Sequence, residues 1–143
     1  MNIRNITKKD IEPIARIAQE ALNPIYGIGT LEEDIKIAAK MLEMCEPKYS
    51  FLAEEDGQVL GFLFARIQKE PYDEFPYGMA LAVSPAQWNK GIATHLINKT
   101  IETLKQDSWD TFTFHALPEN KRALKIYENM GFKTKKLFLS KSI

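Results

Sequence analysis

Two stretches of the sequence combine residue types and spacing that could do chemistry. The first runs from Val83 to Thr94, from an apolar segment through a short loop into a helical pattern that contains Gly91 and Ala93. A helix N-terminus carries unpaired backbone N–H groups and about half a positive charge, so it can bind a phosphate group. Small residues at 91 and 93 would let a pyrophosphate approach the backbone. The same pattern also fits an ordinary strand, loop and helix with a small-residue start.

The second stretch runs from Asn120 to Phe132. Asn120 and Tyr127 are about two helical turns apart, so they lie on one face of a helix, where they could act together. Taken singly, Asn120 also fits a residue that starts a helix, and Tyr127 also fits an aromatic side chain of the core. The two stretches therefore gain meaning only in combination.

The rest of the sequence predicts the elements that would position these stretches. Apolar residues recur at helical spacing in four segments, which predict helices at Ile11–Leu22, Leu31–Cys45, Gly91–Lys105 and Asn120–Met130. Apolar runs bounded by turn residues predict strands at Met1–Ile6, Tyr49–Glu54, Val59–Ile67, Tyr77–Val83, Thr111–Ala116 and Phe132–Leu139. The order β-α-α-β-β-β-α-β-α-β predicts an α/β (α+β) fold with a mixed central sheet and helices on both faces.

Length and composition narrow the class of protein. A chain of 143 residues predicts a single domain over residues 1–143. The 19 basic and 19 acidic residues give no net charge, so bulk attraction to nucleic acid or to a membrane is not expected. One cysteine, Cys45, can form neither an internal disulfide nor a cysteine zinc site, which favours a reducing compartment and no metal. With no signal-peptide or membrane-spanning pattern, we expect a cytoplasmic protein.

In this order, the two stretches resemble the signatures of the GNAT superfamily of acyl-CoA-dependent N-acetyltransferases. The acetyl-CoA loop of that family has the form Arg/Gln-x-x-Gly-x-Gly/Ala and corresponds here to Trp88–Ala93. Its later signature has the form Asn-x-x-Ala-x-x-x-Tyr, followed after three residues by Gly-Phe. The residues that match it are Asn120, Ala123, Tyr127, Gly131 and Phe132. The resemblance covers essentially the whole chain and implies a GNAT-like fold.

The resemblance implies acetyl-CoA as co-substrate and a role for each matching residue. Backbone groups of the strand residues Leu81, Ala82 and Val83 would bind the pantetheine arm. The backbone N–H groups that would hold the pyrophosphate belong to Trp88, Asn89, Lys90, Gly91, Ile92, Ala93 and Thr94. Asn120, with Ala123 in the same signature, would bind the pantetheine or thioester region. Tyr127 would lie near the sulfur and protonate the departing thiolate.

The sequence departs from the family pattern at two places. Trp88 replaces the usual Arg or Gln, and Met79 and Ala80 occupy the strand region where many members carry a carboxylate base. His115 is the candidate base, because it ends a strand just before the Asn120 helix and imidazole can titrate near neutral pH. It also fits a surface or hydrogen-bonded histidine.

The sequence says less about the acceptor of the acetyl group than about acetyl-CoA, its donor. Tyr26, Tyr72 and Glu74 lie in connecting segments and would suit a cationic primary amine on a small molecule or a peptide. The departures from the family pattern leave a second reading open, a non-catalytic acyl-CoA-binding sensor or regulatory module. The short C-terminus predicts an exposed sheet edge, at which we expect a second copy to pair as a homodimer.

Overall fold

A computed structural model describes residues 1–27 and 29–143. Its helices are α1 Ile11–Ala21, α2 Asn23–Tyr26, α3 Leu31–Met44, α4 Ile92–Gln106 and α5 Lys121–Asn129. Its strands are β1 Asn2–Asn5, β2 Phe51–Glu55, β3 Gln58–Glu70, β4 Asp73–Val83 and β5 Thr113–Phe114. The described strands form one sheet in the order β1-β2-β3-β4-β5, antiparallel throughout except that β5 runs parallel to β4. The predicted mixed sheet is confirmed.

The sheet is covered on both faces because β3 is apolar on both sides. Phe62 and Phe64 pack with the buried residues of α1 and α3, whereas Leu63 and Ala65 pack with those of α4. Successive side chains of a strand point to opposite faces, so this continuous apolar run needs a helix layer on each side. The helices on both faces therefore follow from the composition of one central strand.

The predicted last strand, Phe132–Leu139, is wrong. The residues after α5 join no strand of the described sheet, and Leu137, Phe138 and Leu139 are 79%, 101% and 87% exposed. The segment places lysines in its first half and three consecutive apolar residues in its second half, so neither face of such a strand would be apolar throughout. The strand it would extend, β5, is also only two residues long.

The connection between α2 and α3 is described except for Ile28. The sequence also predicts that the segment Ile25–Thr30 forms part of the acceptor edge, and Ile28 within it lies outside the described residues. Across those described residues, no helix combines the length and the apolar character needed to cross a lipid bilayer.

Candidate functional site

A gap between β4 and β5 brings most of the predicted site residues together. The two strands pair only at Tyr77 with Thr113 and Gly78 with Phe114, whereas β4 continues to Val83. The register between β3 and β4 shifts just before the gap, which leaves Met79 as the extra residue of a β-bulge. Beyond Gly78, no described strand pairs with β4 on this side, so its edge is open.

Alternate residues of β4 present their backbone groups to this open edge. The Ser84 N–H donates to the Leu60 carbonyl at 2.9 Å, so Ser84 faces β3. In an antiparallel pair every second residue has the same orientation, so Ala82 also faces β3, whereas Leu81 and Val83 face the gap. The indole N–H of Trp88 donates to the Val83 carbonyl at 2.9 Å. Three backbone groups are therefore left for a ligand, namely the N–H and the carbonyl of Leu81 and the N–H of Val83.

The loop from β4 to α4 directs a second set of donors outward. Asn89 and Gly91 have φ angles of 65° and 77°, in the left-handed region, and α4 begins directly after them. The first hydrogen bond of the helix runs from the His95 N–H to the Gly91 carbonyl at 3.0 Å. The N–H groups of the three residues before His95 have no partner within the helix. These residues are Ile92, Ala93 and Thr94.

Asn120 lies on the other side of the gap and caps α5. Its side-chain carbonyl accepts a hydrogen bond from the Ala123 N–H at 3.3 Å, and the residue is 8% exposed. This contact accounts for Asn120 in the sequence pattern. Among the described residues the amide nitrogen of Asn120 donates no hydrogen bond, so two N–H donors stay available for a ligand.

Tyr127 is held by a stack of aromatic rings. Its ring is parallel to that of Phe114, with 4.7 Å between centroids, and lies 5.7 Å from the ring of Phe132. Burial raises the pKa of the Tyr127 phenol, and the Tyr26 phenol raises it further. Phe114 in turn occupies the space beside Gly78, where a Cβ atom would lie 2.2 Å from the Phe114 ring. Gly78 and Phe114 thus determine where Tyr127 lies.

His115 has a partner that the sequence did not indicate. The Tyr77 hydroxyl is hydrogen-bonded to His115 Nδ1, and the two rings stack with 5.5 Å between centroids. Burial raises the pKa of Tyr77 most, Arg66 opposes this rise, and Tyr26 adds to it. The signal that could have revealed Tyr77 is its position on the predicted strand one residue before Gly78.

Tyr77 and Tyr127 lie on opposite faces of the sheet. Phe114 and Tyr127 pack with the α4 cluster, and the Cβ direction of Gly78 points toward them. Because neighbouring residues of a strand alternate, Tyr77 points to the face covered by α1 and α3, and His115 stacks on it there. The gap therefore has an imidazole and a phenol on one face and the half-buried phenol of Tyr127 on the other.

The three residues predicted to bind the acceptor are separated. Tyr26 ends α2 and is 48% exposed. Tyr72 is 101% exposed at the β3–β4 turn, about 20 Å along the strand from Gly78. Glu74 is at the same end and lines an open cleft of about 570 Å³ with Cys45 and other residues. Neither Tyr72 nor Glu74 reaches the gap.

Metal chemistry has no evident ligand set in the described part of the chain. Within residues 1–27 and 29–143, no group of three or more His, Cys, Asp or Glu side chains is placed to hold a metal ion. The only thiol, Cys45, is buried at the end of α3 and donates to the Leu42 carbonyl at 3.4 Å. Burial raises the pKa of this thiol.

Comparison with known sequences points to one family. A sequence model described as the Acetyltransferase (GNAT) family matches residues 12–132. N-alpha-acetyltransferase 30 of Xenopus laevis is 34% identical over 95 residues, which are 64% of this chain and 34% of that protein. The chain therefore spans about a third of the length of this curated relative.

Solved structures share the fold. An aminoglycoside antibiotic 6'-N-acetyltransferase of Acinetobacter haemolyticus has a TM-score of 0.76 at 23% identity, covering 100% of this chain and 99% of that chain. A GNAT family acetyltransferase of Brucella melitensis, solved in complex with acetyl-CoA, has a TM-score of 0.69 at 23% identity. This second match covers 93% of this chain and 82% of that chain.

Proposed function

The chain belongs to the acetyltransferase (GNAT) family, and we propose that it transfers the acetyl group of acetyl-CoA to a primary amine of a small molecule or peptide. The observation that carries the proposal is the gap between β4 and β5. It combines an open strand edge, the free start of a helix and Tyr127. The Xenopus relative and the Acinetobacter protein named above are N-acetyltransferases by name, which supports an amine as the acceptor.

The residues at the gap fit the chemistry of acetyl-CoA. The pantetheine arm carries amide groups, which match the open backbone groups of Leu81 and Val83, and Asn120 adds a donor from the opposite wall. The pyrophosphate is an anion and matches the outward N–H groups from Ile92 to Thr94. This assignment uses backbone donors, so it tolerates Trp88 in place of Arg or Gln.

In the proposed reaction the amine attacks the thioester of acetyl-CoA directly. The amine nitrogen bonds to the thioester carbonyl carbon, the C–S bond breaks, and the sulfur leaves as a thiolate. Tyr127 donates a proton to this thiolate, since a tyrosine phenol is protonated at neutral pH. An acyl-enzyme on Cys45 is not favoured, since that thiol is buried and hydrogen-bonded to Leu42.

His115 is proposed as the base that accepts the amine proton. An alkyl amine is mostly protonated at pH 7, so it must lose a proton before it attacks. His115 lies on the opposite face from Tyr127, and Tyr77 holds its Nδ1. When the Nδ1–H donates to the Tyr77 oxygen, the lone pair of Nε2 is left to accept the proton of the amine or of a bridging water. The gap thus combines a base for the amine nitrogen with an acid for the leaving sulfur.

Replacement of Tyr127 by Phe tests the proposed function. We expect Tyr127→Phe to lower kcat by about 10²- to 10⁴-fold, the usual range for a general acid, with little change in the Kd for acetyl-CoA. Tyr49→Phe is the matched control, because Tyr49 is buried in the core and bonded to Asp107. Turnover of Tyr127→Phe equal to the wild type across the pH range would exclude Tyr127 as the acid.

A second pair of assays separates catalysis from a sensor function. The absence of a strand carboxylate at Met79 and Ala80 favours a non-catalytic acyl-CoA-binding module as the second candidate. Thermal-shift titration with CoA and acetyl-CoA reports binding, and thiol release against a panel of amines reports transfer. Binding without thiol release on any amine supports the sensor. Binding of neither ligand contradicts both functions.

The proposal also names residues that would contact the acceptor and a cellular location for the protein. We propose that Tyr26, which is exposed at the end of α2, supplies an aromatic face for a cationic amine. Tyr72 and Glu74, at the hairpin tip, could contact only an acceptor as long as a peptide. One acetyltransferase domain over residues 1–143, acting in the cytoplasm, is consistent with the unpaired Cys45 thiol.

A second copy is proposed at the outer edge of β5. No described strand covers this edge, and Leu137, Phe138 and Leu139 beyond α5 are exposed. An open edge and an exposed apolar segment of the same chain can cover each other between two copies. Light scattering should give the mass of a dimer, and Phe138→Lys should reduce it. A monomeric mass at all concentrations contradicts the proposal.

A further inference from the structure

Arg122 crosses from α5 to the loop in front of α4. Its guanidinium carbon lies 3.8 Å from the centre of the Trp88 ring, and its Nη1 donates to the Asn89 side-chain carbonyl at 3.3 Å. Both contacted residues belong to the loop that ends at Gly91, just before the outward N–H groups of α4. Arg122 is exposed and stands two residues after Asn120. A cation from one wall of the gap is thus fixed on the other wall.

The contacts leave Arg122 free to bind an anion. Stacking on an indole uses the face of the guanidinium and leaves its edge of N–H donors open, of which Asn89 takes one. No carboxylate of the described residues forms an ion pair with Arg122. Lys90, the basic residue within the loop, donates instead to Gln87 at 3.1 Å. Arg122 is therefore the cation that the structure fixes beside the start of α4 without a neutralising partner.

We propose that Arg122, seated on Trp88, binds a phosphate of the acyl donor. This inference rests on the proposed use of acetyl-CoA. Trp88 replaces the Arg or Gln of the loop, and its ring serves as the platform that holds a cation supplied by α5. The planar fork of a guanidinium matches two phosphate oxygens, and the pair is then charge-assisted. The phosphate belongs either to the pyrophosphate or to the 3′-phosphate of CoA.

Calorimetric titration of Arg122→Ala with CoA tests the proposal. We expect the Kd for CoA to rise about tenfold, the effect of losing one charge-assisted contact. Arg122→Lys should recover part of the affinity, because lysine keeps the charge and loses the fork. Lys125→Ala is the matched control, since Lys125 is an exposed cation one turn along α5 with no contact to the loop, and its Kd should equal that of the wild type.

A second ligand identifies the phosphate. Dephospho-CoA lacks the 3′-phosphate, so an equal loss of affinity for CoA and dephospho-CoA assigns Arg122 to the pyrophosphate. A loss for CoA alone assigns it to the 3′-phosphate. Tryptophan fluorescence gives an independent readout, because CoA should change the Trp88 emission in the wild type and less in Arg122→Ala.

Two results overturn the proposal, and they are distinguishable. A wild-type Kd for CoA in a folded Arg122→Ala variant removes Arg122 from the donor site and leaves the proposed function intact. A wild-type chain that binds neither CoA nor dephospho-CoA contradicts the proposed function and this inference together.

Discussion

We expect Gly78→Ala to displace the Tyr127 ring through Phe114, which lies between them. A Cβ atom at position 78 would lie 2.2 Å from Cε1 and 2.4 Å from Cδ1 of Phe114. Ordinary van der Waals contact begins at 3.4 Å, so the ring of Phe114 has to move by about 1 Å. That ring is the surface on which Tyr127 stacks, and it also contacts Phe112 at 4.7 Å between centroids.

The size of the effect follows from these contacts. Forcing one extra carbon into a packed site costs about 1–3 kcal/mol, and each aromatic pair that the ring makes contributes about 0.5–1.5 kcal/mol. We therefore expect Gly78→Ala to lower the free energy of unfolding by about 2 kcal/mol. A displacement of about 1 Å at Tyr127 can lower kcat by about a hundredfold, because proton donation depends on position.

A double-mutant cycle identifies the ring as the cause. In a Phe114→Leu background the side chain is smaller and flexible, so Gly78→Ala should cost well under 1 kcal/mol there. Gly29→Ala is the matched control, because its Cβ would meet its nearest neighbour, a Glu33 oxygen, at 3.4 Å. Urea unfolding gives the four stabilities, and thiol release gives kcat. Equal costs of Gly78→Ala in both backgrounds would refute the reasoning.

Three further predictions concern the pH dependence and the core. Arg4 hydrogen-bonds Asp10 at 2.9 Å and, with Thr7, lowers the pKa of this buried carboxyl. The ionised Asp10 carboxylate therefore stabilises the fold fully above about pH 4, and this stabilisation is lost as the pH falls through the folded-state pKa. In urea unfolding, we expect Asp10→Asn to lower the free energy of unfolding by about 1–3 kcal/mol at pH 7 and by progressively less in acid. Ser50→Ala should cost about 1–3 kcal/mol, because Ser50 Oγ accepts from the buried Ala65 N–H at 3.0 Å; unchanged stability would contradict this. His115→Gln should lower kcat/KM by about 10²- to 10⁴-fold because it removes the proposed base, and Tyr77→Phe should lower it less; turnover equal to the wild type would exclude His115 as the base.

Local patterns predicted the helices because local contacts make them. The Glu33 N–H donates to the Thr30 hydroxyl at 3.1 Å, as expected for a capping box, and α3 begins at the next residue, Leu31. The two signature stretches could be predicted for the same reason, since Gly91 and Asn120 directly precede the first turns of α4 and α5. Such features depend on residues within one turn of each other.

Contacts across the sheet could not be predicted in this way. Tyr77 and His115 are 38 residues apart and meet only because β5 pairs with β4 at one register. Arg122 reaches Asn89 over 33 residues by the same pairing. The failed strand prediction at Phe132–Leu139 has a related cause, because an apolar run does not say whether a partner edge is present. Register is a property of the assembled sheet and leaves little trace in one segment.

The bulge at Met79 explains how β4 serves both faces of the gap. In regular alternation Tyr77, Met79 and Leu81 would all point to the same face. Instead Met79 and Ala80 both pack toward α1 and α3, and Leu81 packs toward α4. The extra residue thus separates Tyr77, on the proposed acceptor face, from Leu81, on the face of Tyr127. A strand without the bulge would put the side chains of Tyr77 and Leu81 on the same face of the sheet.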